Sequence, residues 1–134
     1  MRYLVKEEPT NYSFDAFAKD GGTTWTGVKN PLAQKHLRGI RRGDLVFYYH
    51  TGDEKSVVGI AKAASHAYPD PADNAGKAHV VDLAPVKKLK RPVTLAEIKA
   101  DNRFKNMPLT YLPRLSVMPV SDQEWEAIVG LSQQ

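Results

Sequence analysis

Arg42-Gly43-Asp44, Leu45-Val46-Phe47-Tyr48-Tyr49-His50 and Thr51-Gly52-Asp53-Glu54-Lys55 stand in a row at the centre of the chain and read as turn, strand and turn. The six middle residues are β-branched or aromatic almost throughout, a composition that fits a pleated surface better than a helix. The Gly-Asp turns on either side limit the strand to that stretch. Ser56 to Tyr68 then returns as the second arm of a hairpin, with Gly59 and the small residues Ala61, Ala63 and Ala64 marking a bend or a close backbone approach. A hairpin at mid-chain, with no regular β-α-β alternation around it, argues against a doubly wound parallel sheet.

Outward from the hairpin the elements follow from local signals. Arg2 to Lys6 reads as an opening strand, and Ser13 caps a short helix that carries Phe14 and Phe17 on one face and stops at Gly21-Gly22. Asn30-Pro31 pairs a favoured N-cap with a favoured first helical residue. The helix that follows has Leu32, Ala33, Leu37 and Ile40 as its apolar side and Lys35, Arg38 and Arg42 facing elsewhere. After a loop over 69–76, a strand is expected from about Ala78 to Leu89 with Val81, Leu83 and Val86 in the core. Thr94-Leu95-Ala96-Glu97 and Ser121-Asp122-Gln123-Glu124 are capping boxes that start two further helices. The second of these helices buries Trp125 and Ile128 and ends at Gly130, while Leu115 to Val120 forms a last strand that Pro119 keeps at an edge. The expected fold is one α+β domain over residues 1–134, a strongly bent small sheet or barrel with short helices around it.

Composition narrows the chemistry. The absence of cysteine excludes disulfides, thiolate metal sites and cysteine nucleophiles. His36, His50, His66 and His79 lack metal-ligand spacing, so no metal is expected. Neither a nucleophile elbow, a P-loop nor a dinucleotide fingerprint is present, and Glu7-Glu8 are neighbours on a strand and point to opposite faces. No enzyme and no cofactor is the expectation. The N-terminus is too charged for a signal peptide and no apolar run reaches membrane-spanning length, which sets cytoplasm or nucleus as the default. The net charge of +4 is concentrated: Lys29, Lys35, Arg38, Arg41 and Arg42 carry a local +5, and Lys87 to Lys105 carries another +5. Two such runs favour a polyanionic partner over a merely solvated surface.

Three separated stretches read as walls of one pocket: Lys6-Glu7-Glu8-Pro9, Trp25-Thr26-Gly27-Val28-Lys29-Asn30 and Arg114-Leu115-Ser116-Val117. Trp25 reads as part of a turn rich in small and polar residues, where it would serve either as a core residue, the commoner use of a Trp in a small domain, or as a stacking platform; Thr26, Gly27 and Val28 would add backbone groups and a wall. Asn30 and the N–H groups after it would hold a polar edge. Tyr12 either closes the opposite face or staples the helix behind it. Lys6, His50, Arg114 and Ser116 complete the candidate ligand contacts, and Lys29, Lys35, Arg38 and Arg42 the candidate phosphate contacts.

The chain resembles the EVE domain family, which is related to YTH and PUA domains. The likeness rests on Lys6-Glu7-Glu8-Pro9, Trp25-x-Gly27-Val28-x-Asn30, Gly43-Asp44, Phe47-x-Tyr49-His50-Thr51, Arg91-Pro92-Val93, Arg114-Leu115-Ser116-Val117 and Pro119-Val120-Ser121 with Trp125, in order. Glu7, Thr26, Lys29, Pro31-Leu32 and Thr51 depart from the commoner Ser, Asp, Arg, aromatic-Gln and Ser. The resemblance implies a PUA-like β-barrel of about five or six strands and an aromatic-lined pocket for a flipped, modified nucleobase, with Trp25 in the cage. It implies binding without a reaction, DNA being favoured over RNA and a monomer over an oligomer. The alternatives are a regulator that binds a free nucleotide or small molecule in the same pocket, and a subunit of a modification or restriction system.

Overall fold

The computed structural model describes residues 1–134. Seven strands form one curled sheet in the order β2-β6-β4-β3-β1-β7, with β5 paired to β6 off that path. The chain order is β1 (Arg2–Glu7), α1 (Pro9–Tyr12), α2 (Phe14–Asp20), β2 (Thr23–Trp25), α3 (Pro31–Arg38), β3 (Leu45–His50), β4 (Ser56–Ala63), β5 (Tyr68–Pro69), β6 (His79–Thr94), α4 (Leu95–Lys99), a 3-10 turn (Asn102–Phe104), α5 (Pro108–Tyr111), β7 (Val117–Val120) and α6 (Asp122–Ser132). Only β1 and β3 run parallel, joined by the crossover through α1, α2, β2 and α3. Helix α3 packs on both β6 and β7, strands from opposite parts of the sheet, and so covers the open side of a half-barrel.

The expected hairpin is present as β3 and β4, and both capping boxes form with reciprocal bonds at Thr94/Glu97 and Ser121/Glu124. Phe14, held at 2 % exposure, explains Gly59: a Cβ there would fall 2.4 Å from the Phe14 ring. Several boundaries move. The expected strand from Ser56 to Tyr68 ends at Ala63, because Ala64 N–H and the Ser65 hydroxyl bond the backbone of Asp82 and turn the chain before β5. The strand expected to stop near Leu89 continues to Thr94; beyond Lys88 it pairs with β4 alone, so Pro92 has no ladder bond to break on its other side. Val86 and Leu32, expected in the core, are 49 % and 41 % exposed, and Gly130 lies inside α6 instead of ending it. Single-turn α1 and α5, the 3-10 turn and three-residue β2 are too short to show a period in the sequence.

Two aromatic groups lie on opposite faces of the sheet. On one face Phe14, Phe17, Trp25 and Tyr48 pack together; on the other Phe47 stacks on Trp125, centroids 3.7 Å apart. At the end of β6, Arg91 forms a two-pronged pair with Glu97 at 2.8 Å, and the backbone N–H of Thr94 adds a third bond. These bonds, Arg91 first, pull the Glu97 carboxyl down to about 2. Its stabilisation is therefore complete above the ordinary value of 4.5 and disappears as the pH falls toward 2. Glu97→Gln is expected to be less stable than the parent in urea unfolding at pH 7, with the difference shrinking through pH 4 and vanishing near pH 2.

Candidate functional site

Trp25 is the last residue of β2, paired with Val81, and only 5 % exposed. The expectation that it stands in a turn outside the core is corrected: its indole meets the Tyr48 ring edge-on at 5.3 Å. Tyr48 donates its hydroxyl proton to the Tyr12 carbonyl; burial first, and then the nearby Glu7 carboxylate, raise its pKa well above the ordinary range. The core thus fixes the orientation of the indole. Its outer side lines a hollow of about 270 Å³ with Glu7, Asn11, Tyr12, Asp20, Thr23, Thr24 and Thr26. Tyr12 staples α2 by packing edge-on against Phe17, and its hydroxyl donates to Asp20 at 2.8 Å, both residues lining that hollow.

Asn30, Arg114 and Lys6, expected in the same pocket, line two further hollows. Asn30 caps α3 by accepting the Ala33 N–H at 3.0 Å and lines a hollow of about 280 Å³ with Leu32, Leu112, Pro113, Arg114 and Leu115. Lys6 lines a third, of about 470 Å³, with Tyr49, Lys55, Lys99 and Tyr111 among its walls. The parallel register pairs Lys6 with Tyr49 and Glu7 with His50, so alternation places Lys6 and Glu7 on opposite faces of the sheet. Residues 113–116 border the first stretch by hydrogen bonds and the second only through the hollow that Asn30 and Arg114 share: the Lys6 ammonium donates to the Pro113 carbonyl at 3.1 Å, and the Lys6 N–H to the Ser116 carbonyl at 3.0 Å.

Gly27, at φ +78°, Val28 and Ser116 line none of the three hollows, and His50 is occupied elsewhere. Its Nε2 accepts the Phe14 N–H at 3.0 Å and its Nδ1 lies 3.0 Å from Glu54, so both ring nitrogens of a residue 7 % exposed serve the fold. Gln34 was not anticipated. It is 7 % exposed and its amide donates to the carbonyls of Val28 and His79 while accepting the His79 N–H, which ties the loop after Trp25 to β6. A polar residue beside Ala33 on the buried side of α3 was the available signal.

Lys29, Lys35, Arg38 and Arg42 are exposed and none forms an ion pair. In the second basic run, Lys88, Arg91 and Arg103 are paired with Asp15, Glu97 and Asp101. The first run therefore offers unneutralised charge, and the second is partly consumed internally. No three His, Asp or Glu side chains are grouped as metal ligands, and no helix is long and apolar enough to cross a membrane.

The profile of the EVE domain family matches residues 1–131. The chain belongs to the EVE domain family. Thymocyte nuclear protein 1 of Homo sapiens is 29 % identical over 134 residues, covering 83 % of this chain and 60 % of its own, so the EVE domain here spans well under two thirds of that relative. Among solved structures, a protein from Rhodopseudomonas palustris is 45 % identical, with a TM-score of 0.93 over 98 % of this chain and 92 % of that one. Human THYN1 in complex with DNA containing 5-methylcytosine superposes with a TM-score of 0.91 at 27 % identity, covering 99 % of this chain and 98 % of that one. The half-barrel and its helices are the EVE, PUA-like fold. Within this EVE domain, Glu7 uses one carboxylate oxygen to accept the Glu8 N–H at 2.8 Å, and Glu8 bonds the Thr51 hydroxyl at 3.1 Å.

Proposed function

We propose that this EVE domain binds nucleic acid, DNA in the first instance, and receives a modified base in the hollow beside Trp25 without transforming it. The observation that carries the reading is the likeness, over 99 % of this chain, to the human THYN1 chain solved in complex with DNA containing 5-methylcytosine. The chemistry of the hollow agrees with a base in place of a phosphate: it is lined by Trp25 and by Thr23, Thr24 and Thr26, and its charged walls, Glu7 and Asp20, are acidic. Carboxylates repel phosphate and accept from exocyclic amino groups such as that of cytosine. Lys29, Lys35, Arg38 and Arg42 supply the free cations for the backbone.

Glu7, Glu8 and His50 are engaged in backbone and side-chain bonds that hold β1, α2 and the β3–β4 turn, a use that favours binding over turnover. The direct test is a titration of purified protein against matched oligonucleotides carrying cytosine, 5-methylcytosine, adenine or N6-methyladenine, in single and double strands. Preference for one modified strand supports the reading; equal affinity for all of them overturns base recognition. Replacing Lys35, Arg38 and Arg42 together by Gln is expected to weaken modified and unmodified strands alike. On duplex DNA it should flatten the log-log salt slope by up to about 2.7, at about 0.9 per phosphate lost. An unaltered slope would remove α3 and its C-terminal turn from the interface.

A further inference from the structure

The hollow of about 470 Å³ that Lys6 enters lies on the opposite face of β1 from Trp25 and is unused by the base-binding reading. Its walls come from the end of β1, the β3–β4 turn and α4–α5, and they include three lysines, Lys6, Lys55 and Lys99, with no acidic residue. None of the three forms an ion pair. The Lys6 ammonium has one carbonyl partner, Pro113, and sits 5.6 Å from the centre of the Tyr49 ring. Tyr49 cannot serve as its counter-ion, since burial pushes that phenol up to about 12. Burial also lowers the Lys6 ammonium from its ordinary value, the direction expected of a half-buried cation without an anion beside it.

Two further features shape the rim. Lys55 is the one non-glycine residue at positive φ, +42°, and its carbonyl is held by the Leu95 N–H at 2.8 Å, which fixes the turn against α4. Tyr111 leaves 56 % of its surface exposed and lines the same hollow. Three lysines lining one hollow beside an exposed ring match a phosphate carrying a base or sugar better than a simple apolar ligand.

We propose that this second hollow binds the phosphate of a nucleotide among Lys6, Lys55 and Lys99, with Tyr111 as the stacking face for its base. The site is independent of the one beside Trp25. The nucleotide is either a unit of a bound strand or a free mononucleotide, since both present the same phosphate chemistry.

The test follows backbone amide shifts of the full chain during titration with deoxycytidine monophosphate, deoxycytidine and a short unmodified single strand. Perturbation of Lys55, Thr110 and Tyr111 by the monophosphate, but not by the nucleoside, is expected. The double variant Lys55→Gln/Lys99→Gln, exposed at both positions, should keep its fold and lose at least tenfold in monophosphate affinity. It should also retain whatever preference the parent shows for a modified strand, which separates this site from the Trp25 hollow. If only the strand perturbs those amides, with the same loss in the double variant, the phosphate source is the polymer. No perturbation by either phosphate-bearing probe, or unchanged affinity in the double variant, overturns the proposal.

Discussion

Trp25→Ala is expected to lower the stability of the domain by about 3–5 kcal/mol, because a buried indole leaves a cavity that its neighbours fill only in part. At 5 % exposure, with its ring against Tyr48, Trp25 belongs to the aromatic group that also holds Phe14 and Phe17. Lost binding in that variant would therefore mix unfolding with the missing platform. Trp25→Leu separates them: an apolar side chain keeps much of the contact with Tyr48 but has no π face. Loss of base stacking should cost about 1–3 kcal/mol, roughly five- to 150-fold in affinity for the preferred strand. Urea unfolding and fluorescence anisotropy on the same preparation check both parts. Undiminished binding by a cooperatively folded Trp25→Leu protein would move the base elsewhere.

Trp125→Ala is expected to be as destabilising, again about 3–5 kcal/mol, with no separate effect on recognition. Its indole lies parallel to Phe47, at 15° and 3.7 Å, on the sheet face away from Trp25. The Arg2 guanidinium covers the ring at 5.5 Å and reaches Asp122 at 3.1 Å, so α6 is clamped to β1 across it. Chemical denaturation should show the loss, while the ratio of affinities for modified and unmodified strands, measured on the folded fraction at low temperature, stays at the parent value. Parent-like stability would mean that the stack on Phe47 contributes nothing.

The contrast between the two tryptophans shows where reading the chain succeeds. Trp125 follows a capping box and recurs with Ile128 on one face of a helix, a pattern contained within eight residues. Trp25 follows two threonines in a strand of three residues whose partner, Val81, lies 56 positions away in sequence. No local period reports such a pairing. The same division runs through the candidate site. Asn30 was legible as a cap because its partner is Ala33, three residues on, whereas Gln34 was missed because its partner His79 is 45 residues distant.

The helix starts at Ser13, Asn30, Thr94 and Ser121, the β3–β4 hairpin and the family motifs were legible along the chain, because each depends on near neighbours; a glycine at 59 signalled a close approach, but its partner Phe14 lies 45 positions away. Tertiary structure alone decided that the three motif stretches border three hollows. Strand alternation already sends Lys6 and Glu7 to opposite sides, but what each side meets depends on the parallel register of β1 with β3 and on β7 closing the other edge. Those pairings join residues more than forty positions apart, and it is the packing of helices on each face that gives Glu7 the Trp25 hollow and Lys6 the lysine-lined one.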